Sequence, residues 1–280
     1  MAMNPKLLRP KASGVHPEAA AWRTAVVANG GSVSGTTLSA VNKFCKAIDS
    51  AGIRDRFYRL NLFCGTGLNA CLVPLFRGPS LGGTQYGNTT DTNLNFVSGD
   101  YTETGSTGGL NSGSNSTKYL RPGIAPSDIA ATPWNNHVAV YSRDLMATNS
   151  QFIGANSYSF FPGYSAGTRV FYRTVGSNSG LEGTLTTGSG HLVAVRTSAT
   201  VAALYRNGSA VSSTATDNGT TTADANKLII FGQGTTTETP VAYFSGRMQA
   251  YSLGVSMTAS QASSYYTALQ TLQTTLGRNL

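Results

Sequence analysis

The stretch Val201–Ser213, VAALYRNGSAVSS, places Asn207-Gly208 between two apolar runs. Both residues tolerate φ > 0. A type I′ turn needs that at both central positions, so Asn-Gly between alternating segments is a strong hairpin signal. On this reading Val201, Ala203 and Tyr205 share one strand face, and Ala202, Leu204 and Arg206 share the other. Gly208, Ala210 and Val211 open the return strand.

Strand-like segments recur around this hairpin. They are HVAVYSRD (137–144), QFIGAN (151–156), TRVFYRTV (168–175), HLVAVRTS (191–198), KLIIFGQG (227–234) and RMQAYSLG (247–254). Gly, Ser, Asn and Thr clusters separate most of them. Regular short strands with such punctuation predict an antiparallel sandwich or barrel. The Gly/Ser/Thr/Asn-rich region 78–117 holds LNFVSGDY and leads into STKYLRPG, and reads as short strands joined by polar turns.

The flanks are helical. Pro17 suits a first helical turn, and Ala19–Ala28 continue until Asn29-Gly30-Gly31. Thr36 or Thr37 is expected to cap a helix with Leu38, Val41, Phe44, Cys45 and Ile48 on one face, stopped by Gly52. RDRFYRLNLFC (54–64) and LNACLVPLF (68–76) read as two shorter helical pieces, with Pro74 ending the second. At the far end, Thr258 and Gln261 form a capping box. Ala262, Tyr265, Tyr266, Leu269, Leu272 and Leu276 then make an apolar face, and Gly277 is the stop. This helix is expected to pack on the β domain.

The 280 residues are 11% charged, with a net charge of +8. Residues 1–80 hold ten Lys/Arg against three acids, which leaves +1 for the remaining 200. The basic character therefore belongs to the N-terminal part and fits an acidic protein surface, a nucleic acid or a solvated helical face. No nucleic-acid module signature is present, and nucleic acid is not an expected partner. MAMNPKLLRPKASGV lacks an apolar signal core, and no run is long enough for a transmembrane helix. Cys45, Cys64 and Cys71 match no zinc pattern and are expected as buried free thiols.

Catalytic chemistry finds little support. Paired-carboxylate glycosidases need two acids close together, whereas Glu103, Glu182 and Glu238 are isolated in Gly/Thr-rich turns. His137 and His191 each start a strand, where capping or core-edge roles are expected. No G-x-S-x-G, P-loop or H-E-x-x-H occurs. Asp91 in TTDTN and Asp224 in TADAN have the residue type for calcium but read as turn residues. No metal or cofactor is expected. The aromatic-rich NSYSFFPGYSAGTRVFYR (156–173) is the candidate carbohydrate site, with Tyr158, Phe161 and Tyr164 around Pro162-Gly163.

Several stretches together resemble a family of tailed-bacteriophage virion proteins with a concanavalin A/laminin-G-like jelly roll. LLRPKASG (7–14) is similar to its basic arm, and VNKFCKAIDSAGI (41–53) with GLNACLVPLFRG (67–78) to its helical lead-in. NFVSGDYTETGSTGGLNSGSNSTKYL (95–120) resembles its first strands. HVAVYSRD, HLVAVRTSATVAALYRNGSAVSS and FSGRMQAYSLGVSMTASQASSYYTALQTL (244–272) resemble its later strands and closing helix. LYRNGSAV looks like a laminin-G hairpin, which lies in the sheet rather than in an active site.

The resemblance implies a mainly β fold. An extended arm (1–15) and a helical region (16–80) would precede an antiparallel jelly-roll β-sandwich with a C-terminal helix (81–280), its strands spanning about 93–255. It implies a non-enzymatic structural protein of the virion, capsid-decorating or tail-associated. Lys6, Leu7, Leu8, Arg9 and Lys11 would anchor the chain to other virion proteins, and further copies would form a homo-oligomer such as a trimer. The alternative is a carbohydrate-binding receptor-recognition module for a host-surface glycan, and the distant third a glycan hydrolase. No membrane partner is expected.

Overall fold

The Asn207-Gly208 turn forms as its chemistry requires. In the computed structural model both residues have positive φ, 48° and 77°, and Arg206 pairs with Ser209 across the two-residue loop. The Asn207 carboxamide oxygen also accepts from the His191 N–H at 2.9 Å, which ties the turn to the next strand. The described residues are 14–114, 117–145, 151–156, 158–164, 169–173, 181–185, 188–213, 222–235 and 238–280. The arm residues Lys6, Leu7, Leu8, Arg9 and Lys11 lie outside them.

The chain opens with helices α1 (Pro17–Ala28) and α2 (Gly35–Ser50), strand β1 (Phe57–Asn61) and a one-turn helix α3 (Leu68–Cys71). Short strands follow: β2 (Thr92–Leu94), β3 (Tyr101–Thr102), β4 (Gly109–Asn111) and β5 (Tyr119–Arg121), then a one-turn α4 (Pro126–Ile129). The central strands are β6 (Asn136–Ser142), β7 (Ile153–Gly154), β8 (Ser159–Tyr164), β9 (Arg169–Arg173), β10 (Leu181–Thr184), β11 (Gly190–Arg196), β12 (Ala202–Arg206) and β13 (Ser209–Ser213). Last come β14 (Ile229–Ile230), β15 (Gly232–Gly234), β16 (Pro240–Tyr243), β17 (Arg247–Gly254) and the closing helix α5 (Ala259–Thr275).

Two sheets form. One runs β13-β12-β11-β6-β17-β4-β3, with β1 also on β17; the other runs β10-β9-β8-β7-β14-β5-β2, with β15 and β16 attached. Among the described pairs only β15–β7 is parallel. Val138, Val140, Leu192, Leu204 and Tyr251 of the first sheet meet Phe160, Val170, Leu120 and Ile230 of the second in one core. The chain is thus a mainly β, antiparallel jelly-roll sandwich with helices at its N- and C-terminal sides.

A second core lies on the outer face of the first sheet. Ala139, Tyr141, Val193 and Tyr205 alternate with the sandwich residues and pack under Val26, Phe44, Tyr265 and Leu269 of the helices. Both faces of the opening hairpin are therefore used: Ala202 and Leu204 enter the sandwich, while Ala203 and Tyr205 meet the helical layer. The α5 expectation holds in detail. Thr258 and Gln261 make the reciprocal cap, Leu269 is fully buried, and Gly277 has φ 69°.

The turn touches α5. A Cβ on Gly208 would lie 3.1 Å from Ser263 Cα and 3.2 Å from the Tyr266 ring. Gly208→Val is therefore expected to cost about 2–4 kcal/mol, from left-handed strain plus crowding. Exposed Ser209→Val should stay within about 0.5 kcal/mol. Urea denaturation of the two variants checks this; equal losses would refute the turn assignment.

Three local expectations change. RDRFYRLNLFC is not helical: after one 3-10 turn at Arg54–Arg56, Phe57–Asn61 pairs antiparallel with β17. The register shifts between Phe57 and Arg59. This irregularity leaves Phe57 and Leu60 in the same helix-side core, three residues apart, which imitates helical spacing. LNACLVPLF keeps only the α3 turn, because Leu75 and Phe76 bond to Leu60. The α2 cap is Ser34, whose hydroxyl accepts from the Thr37 N–H at 3.0 Å; Thr37 instead donates to Glu103 at 2.6 Å.

Two buried polar networks knit the N-terminal segment to the sandwich. Arg59 and Asp91, both with fully buried side chains, pair at 2.6 Å. Tyr251 donates to Asp91 at 2.7 Å, Asn61 donates to it at 2.8 Å, and Arg59 also donates to the Asn88 carbonyl at 3.0 Å. Burial, the largest single influence, would push the Arg59 guanidinium down; the Asp91 carboxylate and Tyr251 together more than offset it and leave it raised. At the other end, buried Arg278 donates to Gln273 at 2.8 Å and to the Phe63 carbonyl at 2.9 Å.

Candidate functional site

Strand parity sorts the aromatic-rich stretch. Tyr158 and Phe160 fall on the same side and enter the sandwich core, with Tyr158 1% exposed and its ring edge-on to Tyr172 at 6.0 Å. Tyr158 is thus a core residue rather than a surface ring, since alternation turns it inward with Phe160. Phe161 has the opposite parity and is half-buried. Tyr164 is in β8, but its side chain lies outside the described residues. Pro162-Gly163 is no turn: β8 runs through it, with a register shift between Phe161 and Tyr164 that accommodates the proline.

The helices α1, α2 and α5 pack on the outer face of the first sheet, and among the described residues no long helix packs on the outer face of the second. There β5 presents Tyr119 and Arg121 on either side of buried Leu120. The Tyr119 ring meets Tyr243 of β16 edge-on, with centroids 6.3 Å apart. The Arg121 guanidinium lies 5.5 Å from the Tyr119 ring centroid and donates to the Tyr119 hydroxyl at 3.3 Å. It also donates to the Glu238 carbonyl at 3.0 Å, while the Glu238 carboxylate stands 3.7 Å away. A cation over one ring fixes both groups, and the second ring extends the apolar surface.

An amide lies on the same β15–β16 hairpin, and a second just before β7. Gln233 donates to Ser159 at 3.0 Å and accepts from Gln151 at 2.7 Å. Ser159 shares its strand parity with Phe161, so Gln233 reaches the side of β8 that carries Phe161. Tyr119 lies within the strand-like STKYLRPG, but its partner Tyr243 is far along the chain. No local pattern links the two.

Several acids have structural partners. Asp91 belongs to the Arg59 network, Glu103 accepts from Thr37 and from the Gly65 N–H at 2.8 Å, and Asp128 pairs with Lys227 at 2.8 Å. Asp224 accepts from the Asn226 side chain at 2.6 Å, a turn role. No group of three or more His, Cys, Asp or Glu suited to a metal occurs among the described residues. Cys45, Cys64 and Cys71 are free and buried. Burial pushes all three thiols up, away from the reactive thiolate.

The two strand-starting histidines lie deeper than expected. His137, fully buried, bonds the Val255 carbonyl at 2.8 Å and the Ser252 hydroxyl at 3.0 Å. Burial lowers its pKa to about 4. His191, 1% exposed, stacks between Tyr141 and Tyr266 and meets Tyr265 edge-on at 4.7 Å. Burial, with a smaller contribution from His137, lowers its pKa to about 3.

The fold and this face define a β-sandwich whose first sheet is covered by helices and whose second, among the described residues, carries no long helix. No protein-family model and no curated protein matches the chain, so the phage resemblance rests on the sequence stretches quoted above. Among solved structures the chain is similar to the receptor binding domain of the botulinum neurotoxin C/D mosaic serotype. The identity is 10% and the TM-score 0.51, over 77% of this chain and 52% of that one. It is also similar to the serotype D binding domain (12% identity, TM-score 0.45, 79% of this chain, 52% of that one). A third is domain 4 of AbnA, an extracellular GH43 arabinanase from Geobacillus stearothermophilus, in complex with arabinotriose (14%, TM-score 0.44, 75% and 98%). The likeness is one of fold, and the chain spans about half of the toxin domains. No helix among the described residues is long and apolar enough to cross a membrane.

Proposed function

We propose that this chain is a carbohydrate-binding recognition module that reads a surface glycan on the outer face of its second sheet. The observation that carries the reading is the Tyr119–Tyr243 pair with Arg121 over Tyr119, on a face that no helical layer covers among the described residues. Rigid amphipathic rings bind polar, ring-shaped ligands at low entropic cost. Arg121, Glu238 and the Gln151–Gln233 amides supply donors and acceptors for hydroxyls. The toxin neighbour, a receptor binding domain by name, supports recognition as the use of this fold. In this reading the chain binds and does not catalyse.

A second reading, a multicopy structural protein of a tailed-phage particle, rests on the sequence resemblance and on the basic helical layer. That layer lies on the opposite sheet from the Tyr119 face. The two readings are compatible if the helices attach and the free sheet displays.

A glycan array followed by calorimetry tests the main reading. At least one glycan is expected to bind. Tyr119→Ala and Tyr243→Ala should each weaken it by about 1–2 kcal/mol, roughly tenfold, with melting temperatures close to the parent. An array without binders, or affinity untouched by both substitutions, would overturn the assignment.

A further inference from the structure

The helical layer carries unspent positive charge. Its carboxylates are engaged: Glu18 with Arg54 at 2.7 Å, Asp49 with His16 at 2.7 Å and Asp55 with Arg56 at 2.9 Å. Helix α5 contains no charged residue. Arg23 of α1 and Lys43 and Lys46 of α2 are exposed, and none has an acidic partner among the described residues. These three exposed cations outnumber the one carboxylate of the layer whose partner is a histidine rather than a lysine or arginine, Asp49.

The same layer exposes aliphatic surface. Val15 and Val27 are 47% and 59% exposed. With Ala20, Thr24 and Leu38 they line a groove of about 350 Å³ on which Arg23 also sits. The helix sequence does not need them there, because the packing face of α1 is Ala19, Trp22 and Val26. A groove with aliphatic walls and a free guanidinium suits a side-chain anchor followed by a carboxylate.

We propose that the outward side of α1 and α2 docks an acidic polypeptide segment of another protein. The segment places an aliphatic or aromatic side chain in the Val15–Val27–Leu38 groove and a carboxylate at Arg23, which lines the same groove. Charge complementarity selects this occupant. A second copy presenting the same face would set three cations against three, a like-charge juxtaposition that disfavours pairing. Residues 1–13 carry Lys6, Arg9 and Lys11 and no acid, so they share the sign of the groove. A nucleic acid would meet the charge but has no aliphatic group for the groove. This surface is separate from the Tyr119 face, so the proposal stands or falls independently of glycan binding.

The test is selection from a random linear peptide library on the full chain, with counter-selection on an Arg23→Glu/Val27→Asp variant. Both positions are exposed, so the variant should melt like the parent; Arg23→Gln/Val27→Ser substitutes if it does not. Enriched peptides should combine Asp or Glu with Leu, Ile, Phe or Trp. They should bind the parent at least about tenfold more tightly than the variant, a difference of about 1.4 kcal/mol, and more weakly as salt rises. No enrichment, or enrichment of neutral or basic sequences, would overturn the proposal. So would a DNA oligonucleotide that binds this face more tightly than the peptides. Sedimentation showing a dimer that dissociates in the variant would assign the surface to self-association instead.

Discussion

Asp91→Ala is expected to cost about 3–5 kcal/mol and to leave the chain at the edge of folding, because it strands the Arg59 guanidinium as a buried charge without a counterion. Among the described residues the other partners of Arg59 are the Tyr86 and Asn88 carbonyls and the Tyr251 hydroxyl, none of them an acid. Tyr251→Phe removes one hydrogen-bonding group and leaves the ion pair, so about 1–2 kcal/mol is expected. The double variant Arg59→Met/Asp91→Leu removes both charges and should be more stable than Asp91→Ala alone. Guanidinium denaturation of the three checks the order. A double variant no better than the single would show that the loss comes from packing rather than from the unpaired charge. The network matters for architecture, because it fixes β1 and the segment before β2 against β17.

Acid is expected to destabilise the chain well before its carboxylates titrate. In the unfolded chain a histidine protonates near its ordinary pKa of about 6.5. Folded His137 and His191 resist down to about 4 and about 3. Between pH 6.5 and those values the unfolded state binds more protons, so stability rises with pH and is lost as pH falls. By pH 5 the loss should be about 2 kcal/mol for each histidine. His191→Phe isolates one of them. Neither ring nitrogen of His191 has a hydrogen-bond partner among the described residues, and its neighbours are aromatic, so phenylalanine should be at least as stable at pH 7. The slope of stability between pH 7 and 5 should fall by about half in this variant. An unchanged slope would show that His191 does not stay neutral in the fold.

The limits of local reading are visible in particular elements. The hairpin, the α5 cap and the long strands were legible because each rests on a short-range rule: turn dihedrals, a side chain reaching three residues on, or alternation over one strand. β1 was not, because the irregularity after Phe57 breaks the two-residue period and leaves core residues three apart. The density of rings from Tyr158 to Tyr172 pointed to a binding surface, but strand parity sends Tyr158, Phe160 and Tyr172 into the core. The aromatic signal there marks packing more than recognition.

Period and turn chemistry are properties of neighbouring residues, so the amino-acid order alone settles that this is an antiparallel β protein with flanking helices. It also settles that Asn207-Gly208 turns a strand and that the free charge is basic and N-terminal. Which sheet is covered is a different matter. It depends on Ala139, Tyr141, Val193 and Tyr205 meeting helices drawn from both ends of the chain, and no window of sequence contains that contact. The Tyr119–Tyr243 face and the Arg59–Asp91–Tyr251 network have the same origin. Their members are distant in sequence, and burial brings them together because a charge or a ring withdrawn from water needs a partner wherever the fold supplies one.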